Sequence, residues 1–259
     1  MLGSHQNTIF KQGYWLHTYA VESCMDINLR RVRHAAATYE QDIYPDFWAL
    51  YIYDDAPLAL RARLAGVPVD RHDKIAVYVP PYQLFDIHLP TGDSSWKSYC
   101  VRTKPESFLP DTTSVFLYTG PEDILGYGAL VDYLRRMRDF MVPLRPLVPS
   151  AGLANLTTFM NTYFCEEARI EDLYRELRIP TSTAEYMFNR FYGMPAVAYR
   201  NKLRIFRALK LIREGKSLTE TCYELGYSDY STFYRQFCRN IGVSPSNFVL
   251  KPGLERASS

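Results

Sequence analysis

The chain is poor in cysteine and has no long hydrophobic run. Its five cysteines in 259 residues are an odd number and include no C-x-x-C pair, which argues against a disulfide framework or a zinc site and favours buried thiols in a reduced compartment. No stretch approaches the ~18 apolar residues of a membrane span, and the start lacks the basic-then-apolar pattern of a signal peptide. We expect a cytoplasmic protein without membrane contact.

The histidines also lack a pattern that would bind metal. They never form the H-x-H and Glu constellation of a metal-binding cupin, so metal-dependent catalysis is disfavoured. The composition, 47% hydrophobic and 22% charged, is that of a globular protein with room for two cores. We therefore expect no metal, no cofactor and no catalytic residue, and the protein is not predicted to be an enzyme.

Positive charge is concentrated towards the C-terminal end. Residues 1–149 hold 15 Lys+Arg and 17 Asp+Glu, whereas residues 150–259 hold 15 and 11. Within 196–216 there are seven basic residues and only one acidic residue. A run of this density suits a polyanion. A solvated helix face is the alternative, and the charge pattern alone leaves both open.

Strand-like and helix-like patterns occupy different halves of the chain. Short aromatic and β-branched runs punctuated by Gly, Pro and Asp predict a sandwich or barrel. These runs are 47–55, 58–66, 74–81, 84–90, 97–103 and 114–119. The stretch "MVPLRPLVPS" (141–150) then predicts a linker, because its prolines prevent a helix or a central strand from crossing it. Downstream, apolar residues recur every three or four positions, which indicates amphipathic helices.

One helix is predicted before the linker. Its apolar residues step by three and four positions, as in the seam of paired helices. The stripe could pair with a second copy of the chain or pack on its own barrel, and two heptads do not decide between these. The candidate dimer-helix residues are Tyr127, Leu130, Leu134, Met137 and Met141.

A short helix followed by a tight turn is predicted from residue 217 onwards. Ser217 and Glu220 have the spacing of a capping box, in which each side chain satisfies a free amide at the helix start. A helix should therefore run over about 218–225. Gly226 then supplies the left-handed conformation that ends a helix at little cost.

A second helix should follow this turn. Ser228 or Asp229 can cap it, and it should continue to about Arg239. Phe233 and Phe237 are four residues apart and should face inward. The whole segment has the form of a helix-turn-helix. Its second helix leaves hydrogen-bonding groups on the other faces, namely Tyr230, Ser231, Tyr234 and Arg235.

The same unit occurs twice in the chain. The segment "FNRFYGMPAVAY" (188–199) matches "FCRNIGVSPSNF" (237–248) at an offset of 49, and "IEDLYREL" (170–177) matches "LTETCYEL" (218–225) at an offset of 48. Two hairpins that only build a core would be the plain structural alternative. It is disfavoured because the segment joining the copies is the most basic part of the chain.

These residues resemble the AraC/XylS-type transcription regulators. In that family about 100 C-terminal residues form two helix-turn-helix units joined by a long helix, and the second unit reads Gly-aromatic, then S-x-F-x-R-x-F, then Gly, Pro and an aromatic. The segment "YRNKLRIFRALKLI" (199–212) looks like the joining helix, with Leu203, Arg204 and Ala208 at characteristic positions. The matching residues of the second unit are Gly226, Tyr227, Ser231, Phe233, Arg235, Phe237, Gly242, Pro245 and Phe248.

A helix of this kind can read DNA. It fits the major groove, where each base pair presents its own pattern of donors, acceptors and methyl groups. Two such helices on one chain reach successive grooves when they lie about 34 Å apart. In the second copy we predict Tyr230, Ser231, Thr232 and Arg235 at the bases and Ser228, Asp229 and Arg239 nearer the backbone.

The first copy should read DNA more weakly or with another specificity. Its groove-facing residues would be Thr181, Ser182, Glu185 and Tyr186, with Tyr186 in the place of Arg235. Glu185 would repel phosphate but could accept a hydrogen bond from a cytosine amine. Arg190 and the basic face of 200–216 would contact phosphates, or that face would simply solvate the joining helix.

The resemblance implies an α+β fold in which a cupin-like β-barrel or sandwich precedes an all-α domain. The predicted divisions are 1–121 (sensing), 122–149 (dimerisation helix and linker), 150–252 (DNA-binding, with units at about 170–193 and 218–242) and 253–259 (tail). In the family such barrels bind a small effector or mediate dimerisation. Candidate pocket residues are Trp48, Tyr51, Tyr53, Tyr78, Tyr82 and Trp96.

The leading prediction is a regulator that binds double-stranded DNA, with RNA polymerase, a small-molecule effector and a second copy of the chain as further partners. Two other functions stay open at this point. One is a cupin enzyme fused to a DNA tether, and the other is a protein–protein module whose DNA-binding unit has weakened. The sequence does not distinguish activation from repression.

Overall fold

The computed structural model describes residues 4–11, 14–56, 58–64, 69–70, 72–89, 91–144, 150–167 and 169–248. The chain divides into two compact units. The first comprises Met1–Asp42 with Asp46–Pro146, and the second Ile43–Pro45 with Leu147–Ser259. Residues 145–149 of the expected proline linker, and the whole expected tail, lie outside the described residues.

The first unit is built on an antiparallel sheet. In the described part of the chain eight strands pair in the order β1-β2-β3-β8-β5-β6-β9-β10, and β4 and β7 form a separate two-stranded sheet. The strands are β1 (Ser4–Lys11), β2 (Tyr14–Glu22), β3 (Met25–His34), β4 (Thr38–Ile43), β5 (Trp48–Tyr53), β6 (Ile75–Val79), β7 (Leu84–Leu89), β8 (Gly92–Val101), β9 (Ser114–Leu117) and β10 (Val142–Pro143).

The central strand β5 is buried on both faces. Because side chains alternate along a strand, Trp48 and Leu50 point to one face and Tyr51 to the other. The first face packs against the helix α2 (Tyr127–Met137), which is followed by a short 3-10 turn, Arg138–Phe140. On the other face Tyr51 packs against Phe85 of β7, with ring centroids 5.2 Å apart. The central sheet is therefore covered on both faces.

Most of the strands expected from the aromatic runs are present, and the prediction of one strand is wrong. Residues 58–66 were expected to form a strand, but Leu58–Arg61 forms the helix α1 and Ala62–Leu64 a 3-10 turn. Leucine, alanine and arginine are strong helix formers, and this local preference prevails. The sequence patterns gave no indication of β1 to β4.

The second unit is helical. Its helices are α3 (Ala151–Tyr163), α4 (Ile170–Glu176), α5 (Thr181–Tyr192), α6 (Ala196–Arg213), α7 (Leu218–Glu224), α8 (Tyr230–Ile241) and α9 (Pro245–Phe248). The helix α3 packs against α4, α5 and α6, whereas α7 and α8 pack against α6 and against each other. The predicted α+β fold, with a β-rich part followed by helices, is confirmed.

Among the described residues, no helix is both long enough and apolar enough to cross a membrane. In that same part of the chain, no group of three or more His, Cys, Asp or Glu residues could hold a metal ion.

Candidate nucleic-acid interface

The helices α7 and α8 form the predicted second helix-turn-helix. Ser217 and Glu220 make the full capping box, with the Ser217 side chain accepting from the Glu220 amide and the Glu220 carboxylate accepting from the Ser217 amide. Gly226 has φ of 72°, the left-handed conformation that glycine adopts without strain. Phe233 and Phe237 are fully buried. The helix pair, its capping box, the left-handed glycine and the buried phenylalanines were all predicted, and the structure confirms each of them.

A hydrogen-bonded chain holds the start of α8. The Asp229 carboxylate accepts from the Thr232 amide at 2.7 Å, and the Arg235 guanidinium donates to the Thr232 hydroxyl at 3.1 Å. The bond from the Thr232 amide holds the pKa of Asp229 below its ordinary value, and the charge of Arg235 adds to this. The carboxylate therefore caps α8 as an anion. A capping role of this kind leaves Asp229 poorly suited to contact a phosphate.

The remaining predicted residues of α8 and of the turn before it are exposed to solvent or nearly so. Thr232 is half-buried by the cap, and the others lie on the outside of the helix. The exposed ones are Ser228, Tyr230, Ser231, Arg235 and Arg239.

The helices α4 and α5 form the first helix-turn-helix. Gly193 ends α5 with φ of 68°, as Gly242 ends α8 with φ of 81°. Thr181 and Ser182 are exposed in the first turn of α5. The two copies therefore share the same local design, although Pro180 stands at the cap of α5 and makes no side-chain capping bond.

The outer face of α5 carries a preformed aromatic–cation pair. The Tyr186 side chain is exposed, and Arg190 one turn later donates to its hydroxyl at 2.6 Å. The Arg190 guanidinium also lies 5.9 Å from the centre of the Tyr186 ring, within the range of a cation–π contact. These two predicted residues are thus brought together, and their side chains face solvent.

Glu185 is positioned differently from the prediction. One carboxylate oxygen accepts from the Tyr174 hydroxyl at 2.8 Å, and the other accepts from the Ala196 amide at the start of α6. Burial first, and then the bond to Glu185, raise the pKa of Tyr174, so that its hydroxyl remains a donor. Both oxygens of Glu185 have partners inside the unit, which leaves it poorly placed to accept from a cytosine.

The joining helix α6 does not present all of its charges to solvent. Arg200 is 9% and Arg204 only 4% exposed, so neither is available for a phosphate, and the expectation for these two residues is wrong. The sequence did carry a signal, because Arg200, Arg204, Ala208 and Leu211 are spaced by four, four and three residues. That spacing puts both arginines on the stripe that buries Ala208 and Leu211.

The six candidate pocket residues do not line one cavity. Trp48 and Tyr78 belong to the core that packs against α2. On the opposite face the Tyr53 ring lies between those of Tyr51 and Trp96, with centroids 6.4 and 5.9 Å away. Tyr82 is half-buried and has a φ of 60°.

Of the two arrangements left open for the apolar stripe of α2, packing within its own unit is the one observed. Leu130 and Leu134 are fully buried in the core, and Tyr127, Met137 and Met141 pack against that core. The apolar face of α2 thus stabilises the first unit and offers no seam to a partner.

Comparison with known proteins agrees with this geometry. A family described as "Helix-turn-helix domain" matches residues 173–250. The HTH-type transcriptional regulator ExsA of Pseudomonas aeruginosa is 28% identical over 92 residues, 35% of this chain and 33% of ExsA. The HTH-type transcriptional activator RhaS of Salmonella arizonae is 28% identical over 96 residues, 37% of this chain and 34% of RhaS. The chain thus matches about a third of the length of these relatives.

A solved structure is similar over most of the chain. ToxT of Vibrio cholerae superposes with a TM-score of 0.52 at 12% identity, covering 88% of this chain and 100% of ToxT. At this identity the likeness concerns the fold, a β-rich part followed by a helical one. Another ToxT structure, with a TM-score of 0.51, 13% identity and 91% and 99% coverage, has an unsaturated fatty acid bound.

The duplicated helix pair, the long helix between the copies and the matched domain agree with one another. The chain thus contains a helix-turn-helix domain, which the family match places at residues 173–250, as the sequence motif predicted.

Proposed function

We propose that the protein is a sequence-specific transcription regulator that presents α5 and α8 to two adjacent major grooves of one DNA duplex. The main support is the second helix-turn-helix, where Phe233 and Phe237 fix α8 on its core while Ser231 and Arg235 remain exposed. A helix held in this way can place polar side chains against base edges.

The two helices should contribute differently. In α8 the Arg235 guanidinium is already oriented by Thr232, and arginine favours the O6 and N7 acceptors of guanine. In α5 the corresponding residue is Tyr186, paired with Arg190. We expect α8 to supply most of the base specificity and α5 to contribute through stacking and phosphate contact.

Selection of bound sequences from random duplex DNA tests the proposal. The enriched sequences should contain two boxes, with centres about 10 base pairs apart because successive major grooves recur at that interval. Footprinting should then protect both boxes. Binding that is equally strong to all sequences, and that disappears as salt is raised, would contradict specific regulation.

Regulation through the β-rich first unit, which contains Trp96, is a further part of the proposal. The Trp96 indole nitrogen is buried and has no hydrogen-bond partner among the described residues, so it could donate to a carboxylate or carbonyl group of a ligand. One ToxT structure holds an unsaturated fatty acid, which makes that class of molecule the first to test. Tryptophan fluorescence should change on titration with such an acid, and Trp96→Phe should weaken the response.

RNA polymerase and a second copy of the chain complete the proposed partners. Since the stripe of α2 is buried, dimerisation would have to use another surface. Sedimentation with and without a two-box duplex measures the stoichiometry, and transcription in vitro with purified polymerase tests the other partner.

A further inference from the structure

The inner face of α6 carries two buried arginines that the DNA-binding proposal does not use. Arg200 and Arg204 are one helical turn apart and are among the most buried charged residues of the described chain. Arginine is rarely buried to this degree unless its guanidinium has partners. Burial lowers the pKa of Arg204 to about 10, so it is still a cation at neutral pH.

Arg204 contacts two separate segments of the helical unit. Its Nε donates to the Phe164 carbonyl at 2.6 Å, and its Nη2 donates to the Glu166 carbonyl. The same guanidinium lies 5.0 Å from the centre of the Tyr227 ring. Phe164 and Glu166 connect α3 to the first helix-turn-helix, whereas Tyr227 belongs to the turn of the second. One side chain thus contacts both the loop that leads into the first copy and the turn of the second.

The backbones of these segments are also in direct contact. A β-carbon at Gly226 would lie 2.1 Å from the Cys165 carbonyl oxygen and 2.9 Å from the Glu166 carbonyl carbon. The turn of the second helix-turn-helix therefore packs against the loop that Arg204 binds. We call this arrangement, made of Phe164–Glu166, Arg204, Gly226 and Tyr227, the inter-unit clamp.

Arg200 lies one turn before Arg204 on the same buried face of α6. Burial lowers the pKa of Arg200, and its neighbours Tyr227, Glu171 and Tyr174 partly oppose this shift. Two cations one turn apart on a helix would repel each other if the surroundings did not compensate. Their joint burial therefore requires that the groups around them keep fixed positions.

The chemistry of the guanidinium explains why an arginine is suited to this place. Its planar fork donates in two directions at a fixed angle and stacks on an aromatic ring, which a lysine ammonium cannot do. An apolar replacement would leave the Phe164 and Glu166 carbonyls without their donor. The loop would then lose two hydrogen bonds, and the turn would lose the cation that lies over Tyr227.

We propose that Arg204 is a positioning residue that fixes the second helix-turn-helix relative to the first and thereby sets the spacing of the two DNA boxes. This inference rests on the proposed function. Adding one base pair between the boxes rotates the second by about a tenth of a turn and moves it by about 3.4 Å. With a rigid clamp the protein should bind DNA with an altered spacer less tightly. A loosened clamp should allow the second helix-turn-helix to reach the displaced box.

The test measures binding of the full chain to duplexes with the selected two boxes and a spacer shortened or lengthened by one base pair. The wild type should lose about tenfold in affinity with either change, because the second helix loses its base contacts. Arg204→Met should lose less than about threefold relative to its own optimum. Arg204→Lys should fall between them.

Three further variants distinguish positioning from unfolding or simple loss of contact. Tyr227→Leu removes the ring under the guanidinium and should flatten the spacing dependence as Arg204→Met does. Tyr227→Phe should behave as the wild type, because the buried Tyr227 hydroxyl has no hydrogen-bond partner among the described residues. Arg235→Ala should weaken binding at every spacing without changing the preferred one.

A second readout is independent of DNA. Spin labels attached through keto amino acids at positions 182 and 231 report the distance between α5 and α8 and spare the native cysteines. The wild type should give one narrow distance distribution, and Arg204→Met a distribution at least about twice as wide, because a single conformer becomes an ensemble. A wild-type spacing preference in Arg204→Met, or an unchanged distance distribution, overturns the inference. A wild type that reads no two-box site overturns the proposed function instead, and the distance distribution then decides on the clamp alone.

Discussion

Gly226 lies so close to the carbonyl oxygen of Cys165 that a β-carbon on it would stand 2.1 Å from that oxygen. No real contact of that type is so short, and the atom that would have to move belongs to the backbone. Gly226 also has φ of 72°. The turn of the second helix-turn-helix thus needs glycine for two separate reasons, conformation and space.

Gly226→Ala should therefore strongly destabilise the helical unit that contains the second helix-turn-helix. Gly215 ends α6 with φ of 88° but has open space where a β-carbon would be, so Gly215→Ala is the matched control. We expect the control to cost about 1 to 2 kcal/mol of unfolding free energy from backbone strain. Gly226→Ala should cost about 2 kcal/mol more, because the overlap adds to the strain. Urea unfolding followed by circular dichroism at 222 nm measures both, and equal costs would contradict the close approach.

Arg235→Ala should reduce binding chiefly at one base pair. Loss of a bidentate contact to guanine costs about 1 to 3 kcal/mol, or about 5- to 150-fold in affinity. Competition with duplexes that carry each substitution in the second box measures the effect. Arg135 of α2 is exposed and lies in the first unit, so Arg135→Ala removes the same charge without changing α8. If both variants lose affinity equally at all sequences, Arg235 does not read a base.

Arg239→Ala should act on affinity and not on specificity. Arg239 is exposed in the last turn of α8, where a phosphate contact is expected. Removing one such contact lowers the slope of log affinity against log salt by about 1 and weakens all sequences similarly. Binding titrations at four salt concentrations, on the selected site and on a scrambled duplex, give this slope. A change in base preference with an unchanged slope would place Arg239 at the bases.

The second helix-turn-helix was predictable because its signals are local. The capping box of Ser217 and Glu220, the left-handed Gly226 and the apolar pair Phe233 and Phe237 lie within about 20 residues of one another. Each constrains the backbone or the buried face directly, and all point to the same structure. Agreement of this kind needs no knowledge of distant contacts.

The features that depend on tertiary contacts were harder to predict. Charge density over 196–216 suggested one basic face, but the buried environment of Arg204 depends on carbonyls about 40 residues earlier in the chain. The partner of the α2 stripe could not be read from heptad spacing, since the same spacing suits a second helix and a sheet. For 58–64, apolar residues recur without a clear period, and intrinsic helix preference decides the structure.

Glu185→Ala should lower stability more than it changes DNA specificity. The substitution leaves the Tyr174 hydroxyl and the Ala196 amide without their acceptor, and an unsatisfied buried group costs about 1 to 3 kcal/mol. Glu185→Gln keeps one acceptor oxygen and should cost less. Thermal unfolding measures stability, and selection from random DNA measures specificity. An altered first box, with stability unchanged, would restore Glu185 as a base-reading residue.

Leu134→Ala should destabilise the first unit and leave the oligomeric state unchanged. Leu134 is fully buried between α2 and the sheet, and truncation of a buried leucine costs about 2 to 5 kcal/mol. Phe140, which follows in the 3-10 turn and is 65% exposed, supplies the control, since Phe140→Ala should cost no more than about 0.5 kcal/mol. All three tryptophans lie in the first unit, so their fluorescence reports its unfolding selectively. If α2 instead formed a dimer seam, Leu134→Ala would shift sedimentation towards monomer at a concentration where the wild type is dimeric, with little change in the unfolding of the monomer.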